Sequence, residues 1–555
     1  MTSRFDWCEV TTLGDLLVRG AQQHPDRVAV AFTDSCHTYA ELYQGAVTIA
    51  RGLHALGIQP GEHVGLMAAN SPEFIEALFA IAFLGCVTVP LNARHKATEL
   101  AYITTNANLV AILTTANAEE YVDFTSVFRT ALPELSQQTD PTCLALTQAP
   151  LLRNTVLLRG DDRSGFLGRP AFDVLAGQVS AEDIEQLRRR VRVRDIAIIM
   201  YTSGTTAHPK GCMLSHEAMT RGPVDRASTR LAVAEHDVSW GAGPLFHIGS
   251  LAPFVGSIGA GGTYLTDHYF EAGRALKLLA EHHATVIWPW FPAIVQALID
   301  HPDFDSANLK SIERVVLIGP KPMVERVQRL FPQAEVAQAC GMTETAGIFA
   351  LSNVDESPLS KATTQGRAVP GIEVKIASLD TGGVAAPGEV GEILVRGYCV
   401  MEGYYNDEAK TREAMDREGW LHTGDLYSAT VDGSLVFSGR LKDMLKVGGE
   451  NVAAIEIEAF LCEHPAVKLA EVVGSPDDRL DEVPIAFVEL RAGHELQAAE
   501  LIAFCNGRIA SFKIPRAVYF MTSEQWPMSA TKVDKRALRA LIADAHSPQL
   551  LAQSS

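Results

Sequence analysis

Apolar positions near the start of the chain recur with two alternating periods. "TYAELYQGAVTIARGLHALG" (Thr38–Gly57) spaces its apolar side chains three and four apart and ends on glycine, which predicts a helix. "EHVGLMAAN" predicts a strand, and "SPEFIEALFAIAFLG" a helix capped by Ser71. The most apolar window, "ALFAIAFLGCVTVPL" (Ala77–Leu91), is shorter than a bilayer span and carries Gly85 and Pro90. It reads as a buried helix running into a buried strand. Alternation of this kind builds a parallel sheet covered by helices.

Residues 117–190 are less regular and richer in charge, and read as helices and surface connections before a strand at Asp195. The alternation then resumes. "EAGRALKLLAEHH", "PAIVQALIDHP" and "MVERVQRLF" predict helices, and "ATVIWPW" and "SIERVVLIGP" strands; "EVAQACGMTET" is a strand entering a loop. From about Pro370, "GIEVKIASLD", "GEILVRG" and "GSLVFSGR" are short strands between Gly and Asp turns. After Arg440 a separate α+β pattern begins: helices "AAIEIEAFLCEHP" and "AAELIAFCNGRI", strands "LAEVVGSP", "VPIAFVELR" and "AVYFM". The expected class is α/β. Residues 1–439 form a large N-terminal domain of doubly wound parallel sheets with a small β-barrel-like subdomain. Residues 440–555 form a small α+β domain.

Composition narrows the function. A chain of 555 residues exceeds one core. A net charge of -19 argues against a general nucleic-acid binder, which needs a basic surface. The nine cysteines are scattered with no C-x-x-C pair, so zinc ribbons and redox dithiols lack support and a reducing cytoplasm fits better. "MTSRFDWCEVTTLGDLL" lacks the basic and apolar regions of a signal peptide. The expected location is cytoplasmic, with no transmembrane segment.

Five stretches carry candidate chemistry. In "MYTSGTTAHPKG" (Met200–Gly211), Thr202, Ser203, Thr205 and Thr206 offer hydroxyls, Gly204 lets a backbone approach, and Lys210 adds charge. These suit phosphate. The stretch is not a Walker loop, because Pro209 precedes Lys210 and Gly211 follows it. In "QACGMTETAG", Glu344 is a lone carboxylate between Thr343 and Thr345, suited to Mg2+ or simply solvated. In "GWLHTGDLY", Asp425 is either a ribose-binding carboxylate or a turn residue. "SGRLKDMLKVGGENVAAIEIE" offers Arg440 as a second ribose contact, or is a basic linker. "PMSATKVDKRALR" holds Lys532 in a turn before a helical tail, where most lysines are merely solvated.

In this order, together with "PLFHIGSL", the five resemble the adenylate-forming superfamily, in its acyl-CoA synthetase branch. The resemblance runs from "LGDLLVRGAQQHPDRVAV" to Arg539. It implies that ATP activates a carboxylic acid as acyl-adenylate with loss of pyrophosphate, and that coenzyme A then displaces AMP. It implies that Thr202 to Lys210 hold the β- and γ-phosphates, that Thr343 sits by the α-phosphate, and that Glu344 and Thr206 bind Mg2+. Asp425 and Arg440 would hold the ribose. Gly319, Pro320 and Lys321 would form the adenine slot with Ala339, Cys340, Gly341 and Met342. Lys532 matches the catalytic lysine of the first step, Lys442 the hinge about which a mobile C-terminal domain would rotate, and Lys446, Gly448 and Gly449 the coenzyme A face. His247 would gate an acyl pocket walled by Trp288 and Trp290.

Ala207, Cys340 and Thr531 depart from the family pattern, which has glycine, an aromatic and glycine there. "HIGSLAPFVGSIGAGG" is rich in small residues, and no basic cluster nearby matches a second carboxylate. The expected substrate is a hydrophobic monocarboxylic acid: fatty, aromatic, or polycyclic such as a steroid fragment. The expected partners are that acid, ATP and coenzyme A, with a homodimer left open. An amino-acid or carrier-protein adenylator would need an aspartate where Phe246-His247 stands, and a carrier domain downstream. Luciferase-like oxidation is not separated by motif. Retention of Lys532, Glu344, Asp425 and Arg440 argues against an inactive nucleotide-binding homologue.

Overall fold

The Thr38 hydroxyl accepts the Glu41 backbone N–H, and the Glu41 carboxylate accepts the Thr38 N–H. This reciprocal cap starts the helix Tyr39–Ala55, and Gly57, at φ 79°, lets the chain turn out of it. Ser71 caps Pro72–Phe83 through the Phe74 N–H. That helix is buried on nearly every face and leads directly into the buried strand Val87–Pro90. The structure is a computed structural model that describes residues 11–118, 122–202, 209–353, 355–447, 450–477, 479–529 and 532–543.

Two compact units divide the chain: Met1–Val374 with Val395–Leu421, and Lys375–Leu394 with His422–Ser555. The first unit holds two large sheets. One has seven strands in the order Gly403–Tyr404, Lys210–Ser215, Ile196–Thr202, Val87–Pro90, His63–Met67, Leu109–Thr114, Asn154–Leu157. From Ile196–Thr202 onward its neighbours run parallel, while Lys210–Ser215 pairs antiparallel on both sides. The other has nine strands, parallel from Glu335–Met342 across to Val28–Ala31 and antiparallel at both edges. Strands such as Leu109–Thr114 are buried at every position, as expected where helices cover both faces. Phe74, Phe79, Phe83, Phe254 and Tyr264 fill the core between them.

Asn154–Leu157 and Lys210–Ser215 escaped the sequence reading. The first is four residues inside a charged stretch, and the second mixes Lys, Gly and Ser, so neither carries a run of apolar signal.

In the second unit, a five-stranded sheet runs Glu450–Ala453, Met444–Val447, Asp481–Leu490, Val467–Asp477, with Ala517–Phe520 paired parallel to Asp481–Leu490. Helices Ala454–Leu461 and Ala498–Cys505 share its core through Ile457, Leu461, Leu501 and Cys505. A smaller sheet orders Ile372–Ser378, Gly391–Gly397, Leu421–Ala429 and Leu435–Arg440. The domain boundary expected between residues 439 and 440 falls inside this unit, where Gly439 lies against Ile455 and Ala453. Among the described residues no helix is long and apolar enough to cross a membrane.

Candidate active site

The phosphate-type stretch joins two antiparallel strands, with Thr202 opposite Lys210 and Tyr201 opposite Gly211. A Walker loop joins a strand to a helix, so the hairpin agrees with the mismatch at Pro209. Ser203, Gly204, Thr205, Thr206 and the anomalous Ala207 lie outside the described residues. At the hairpin's exit, Lys210 Nζ stands 4.2 Å from the centre of the Tyr404 ring. That is cation–π distance. Tyr404 reaches this position because its two-residue strand pairs with Lys210–Ser215, placing it opposite Cys212.

The Tyr404 hydroxyl donates to Glu344 Oε1 at 2.8 Å. Glu344 sits in the short turn Thr343–Thr345 that follows the strand Glu335–Met342, and is only 8% exposed. The Thr345 hydroxyl accepts the Met342 N–H and donates to the Gly347 carbonyl, while the Met401 N–H binds the Glu344 carbonyl. Ala346 (φ 48°) and Gly347 (φ 100°) then carry the chain through left-handed conformations. Burial and the adjoining Glu344 carboxylate push the Tyr404 phenol upward, so it remains a donor. Thus Lys210 and Glu344 come together on Tyr404, which is absent from the sequence reading, and Thr343 adjoins Glu344 in the same turn.

The adenine candidates lie at the ends of two adjacent parallel strands, in register with Leu317 opposite Gln338. The Gly319 N–H donates to Gln338 Oε1 at 3.2 Å. Pro320 precedes the helix Lys321–Leu330, and the Lys321 ammonium lies 3.7 Å from Glu325. Ala339 and Cys340 are buried in the neighbouring strand, followed by Gly341 and Met342. A side chain at Gly341 would meet the Gly347 carbonyl at 2.4 Å, which explains the glycine.

On the acyl side, His247 precedes the helix Ile248–Ala260. Burial, with Arg94 and His95 nearby, holds its imidazole down at about 4, hence neutral at physiological pH. Trp288 and Trp290 are buried in the strand Val286–Trp290 with ring centroids 5.4 Å apart. A register shift in this strand and the left-handed Trp290 (φ 60°) bring the Trp290 indole nitrogen to 3.8 Å from the Cβ position of Gly249. Neither indole N–H has a hydrogen-bond partner among the described residues.

In the second unit, Asp425 lies within the strand Leu421–Ala429 rather than in a turn before one. It faces Arg440 on the neighbouring strand, with Arg440 Nε 3.2 Å from Asp425 Oδ1. Lys442 follows in the turn Leu441–Asp443, where burial and Arg440 push its ammonium downward. The Lys446 N–H donates to Glu482 and its side chain is exposed. Gly448, Gly449 and Thr531 lie outside the described residues. Lys532 begins a two-residue strand paired with Met528–Ser529, just before the helix Lys535–Ala543.

Among the described residues no three His, Cys, Asp or Glu side chains cluster as a metal cage. A lone carboxylate such as Glu344 instead suits Mg2+ carried largely by substrate phosphates and water.

The signature of AMP-binding enzymes matches residues 17–405, and that of the AMP-binding enzyme C-terminal domain matches residues 456–532. A 7a-methyl-1,5-dioxo-octahydro-1H-inden-4-yl propanoyl:CoA ligase of Rhodococcus jostii (strain RHA1) is 32% identical over 95% of this chain and 98% of its own. A feruloyl-CoA synthase of an Amycolatopsis species is 33% identical over 92% of this chain and 94% of its own. The solved structure of O-succinylbenzoate coenzyme A synthetase from Bacillus subtilis, in complex with AMP, superposes with a TM-score of 0.77 at 27% identity, covering 95% of this chain and 98% of that one. The chain belongs to the AMP-binding enzyme family.

Proposed function

We propose that the protein is an ATP-dependent carboxylate–CoA ligase acting on a hydrophobic acid. The observation that carries this reading is the pairing of a phosphate-type cation, Lys210, with a buried carboxylate, Glu344, on one tyrosine ring. Family membership and the CoA-ligase activities named for the relatives support it.

In the first step the substrate carboxylate attacks the α-phosphorus of ATP and pyrophosphate leaves. The hydroxyls of Thr202, Ser203, Thr205 and Thr206, with Gly204 and Lys210, hold the departing phosphates. Thr343 steadies the α-phosphate. Glu344, with Thr206, would hold Mg2+, which when bound offsets phosphate charge. The Lys532 ammonium neutralises the negative charge that gathers as carboxylate meets triphosphate. Asp425 and Arg440 hold the ribose, and segments 319–321 and 339–342 the adenine. In the second step the coenzyme A thiol attacks the acyl carbonyl and AMP leaves. Rotation about Lys442 exchanges Lys532 for the face carrying Lys446, Gly448 and Gly449.

Trp288 and Trp290 give the acyl pocket an apolar, aromatic wall, suited to a fatty, aromatic or polycyclic tail. A panel of such acids, assayed for CoA-dependent AMP formation and for the thioester, tests the assignment. AMP formation without a thioester from any acid would overturn it.

A further inference from the structure

Arg226 lies in the helix His216–Thr229 and is only 3% exposed. Its Nη1 donates to the Ile348 carbonyl at 2.7 Å, and among the described residues it makes no ion pair. A buried guanidinium without a carboxylate is costly to keep. Burial lowers its pKa to about 10, against the fields of Tyr398, Cys399 and Asp225, so it stays charged at neutral pH.

The guanidinium faces the segment that follows the candidate phosphate contacts. Its Nη2 lies 3.7 Å from the Cβ position of Gly347, three residues beyond Glu344. The same position lies 3.3 Å from Ala252 of the helix Ile248–Ala260, which His247 begins. A cavity here is lined by Arg226, Ser239, Ala252, Ser257, Trp288 and Ile348. Trp288 is 5% exposed and its indole N–H has no partner among the described residues. Two residues that carry N–H donors, Arg226 and Trp288, therefore line one cavity, and the Trp288 indole N–H is without a partner among the described residues. A donor buried without an acceptor costs free energy that a bound acceptor returns.

Resting on the ligase reading above, we infer that the acid carries, remote from its reacting carboxylate, an oxygen acceptor that Arg226 and the Trp288 indole N–H receive. No basic group for such a second function stands in the pocket motifs themselves, because Arg226 lies upstream in another helix and is brought in only by the packing of that helix on Ile248–Ala260. The acceptor is a keto oxygen or a second carboxylate; both offer lone pairs and no proton to donate.

The test uses matched acids on the intact enzyme: a cyclohexylpropanoate against its ring-oxo counterpart, and octanoate against octanedioate. The wild type is expected to favour the oxygen-bearing member of at least one pair by about tenfold or more in kcat/KM. Trp288→Phe keeps the ring but removes the N–H, and Arg226→Met removes the charge. Each should pull that preference toward unity, read as the ratio of the two acids of a pair on the same variant. Preference for the oxo acid alone identifies a keto acceptor, and preference for the diacid an anionic one; either supports the inference. Should Arg226→Met fail to fold, the wild-type ratios and Trp288→Phe still decide. Ratios within about twofold for both pairs in the wild type, or a preference that survives Trp288→Phe and a folded Arg226→Met, overturn it. If no acid yields AMP, the ligase reading itself has failed, which is a separate result.

Discussion

The Tyr404 hydroxyl donates to Glu344 Oε1 at 2.8 Å, and the same ring lies 4.2 Å from Lys210 Nζ. One aromatic side chain thus orients both the carboxylate suited to Mg2+ and a cation suited to phosphate. Tyr404→Phe keeps the ring under Lys210 and releases Glu344. Loss of a hydrogen bond to a charged group, worth about 1.5–3 kcal/mol, is expected to lower kcat/KM for ATP by about tenfold or more. It should also raise the Mg2+ concentration needed for half-maximal pyrophosphate release. An unchanged Mg2+ dependence would show that the contact only packs.

Glu344→Gln keeps the size of the side chain and removes its charge. Pyrophosphate release at saturating acid should fall by at least about a hundredfold, the scale seen when a preorganised electrostatic contact is deleted. Circular dichroism should remain that of the wild type. Near-normal turnover would remove Glu344 from the metal site.

Lys532→Ala should abolish pyrophosphate release yet still convert a supplied acyl-adenylate to thioester. Equal loss of both steps would contradict a role confined to the first.

His247 is buried beside Arg94 and His95 and its pKa falls to about 4. A histidine depressed below its usual 6.5 adds stability above that value, and the contribution is lost as pH falls through about 4. Between those values the ring remains neutral. The profile of kcat/KM for the acid should therefore show no break near pH 6.5 that His247→Gln removes. A break that disappears in the variant would mean that the ring titrates in the working range.

Glu76 behaves in the opposite sense. Burial raises its pKa from 4.5 to about 7, and its carboxyl packs against Gly45 of the neighbouring helix. The stability it contributes is fully present below about 4.5 and disappears as pH rises through about 7. Glu76→Gln should leave the melting temperature nearly unchanged at pH 4 and raise it at pH 8. The gain at pH 8 is bounded at roughly 3 kcal/mol. An equal effect at both pH values would point to packing rather than ionisation.

The elements that could be read in advance are those fixed by neighbours in sequence. Thr38 and Glu41 cap one helix reciprocally from three residues apart, and Ser71 alone caps another through the Phe74 N–H. The chemistry of Lys210, Glu344 and Arg440 was equally visible as residue types in short motifs. Tyr404 and Arg226 were not, because their roles arise from pairing and packing across long stretches of chain. Tyr404 meets Glu344 60 residues away, and Arg226 meets Ile348 122 residues away. Asp425 shows the intermediate case. Its preceding glycine suggested a turn, yet pairing with Leu435–Arg440 makes it a strand residue and sets Arg440 beside it.

Stoichiometry offers the most direct test of carboxylate activation followed by transfer to coenzyme A. The purified protein is incubated with ATP, Mg2+, coenzyme A and an apolar acid from the panel, and AMP, pyrophosphate and thioester are counted together. Equal amounts of all three are expected, with none formed when the acid is omitted. ADP with phosphate in place of AMP, or AMP formed without acid and without thioester, would contradict the ligase function.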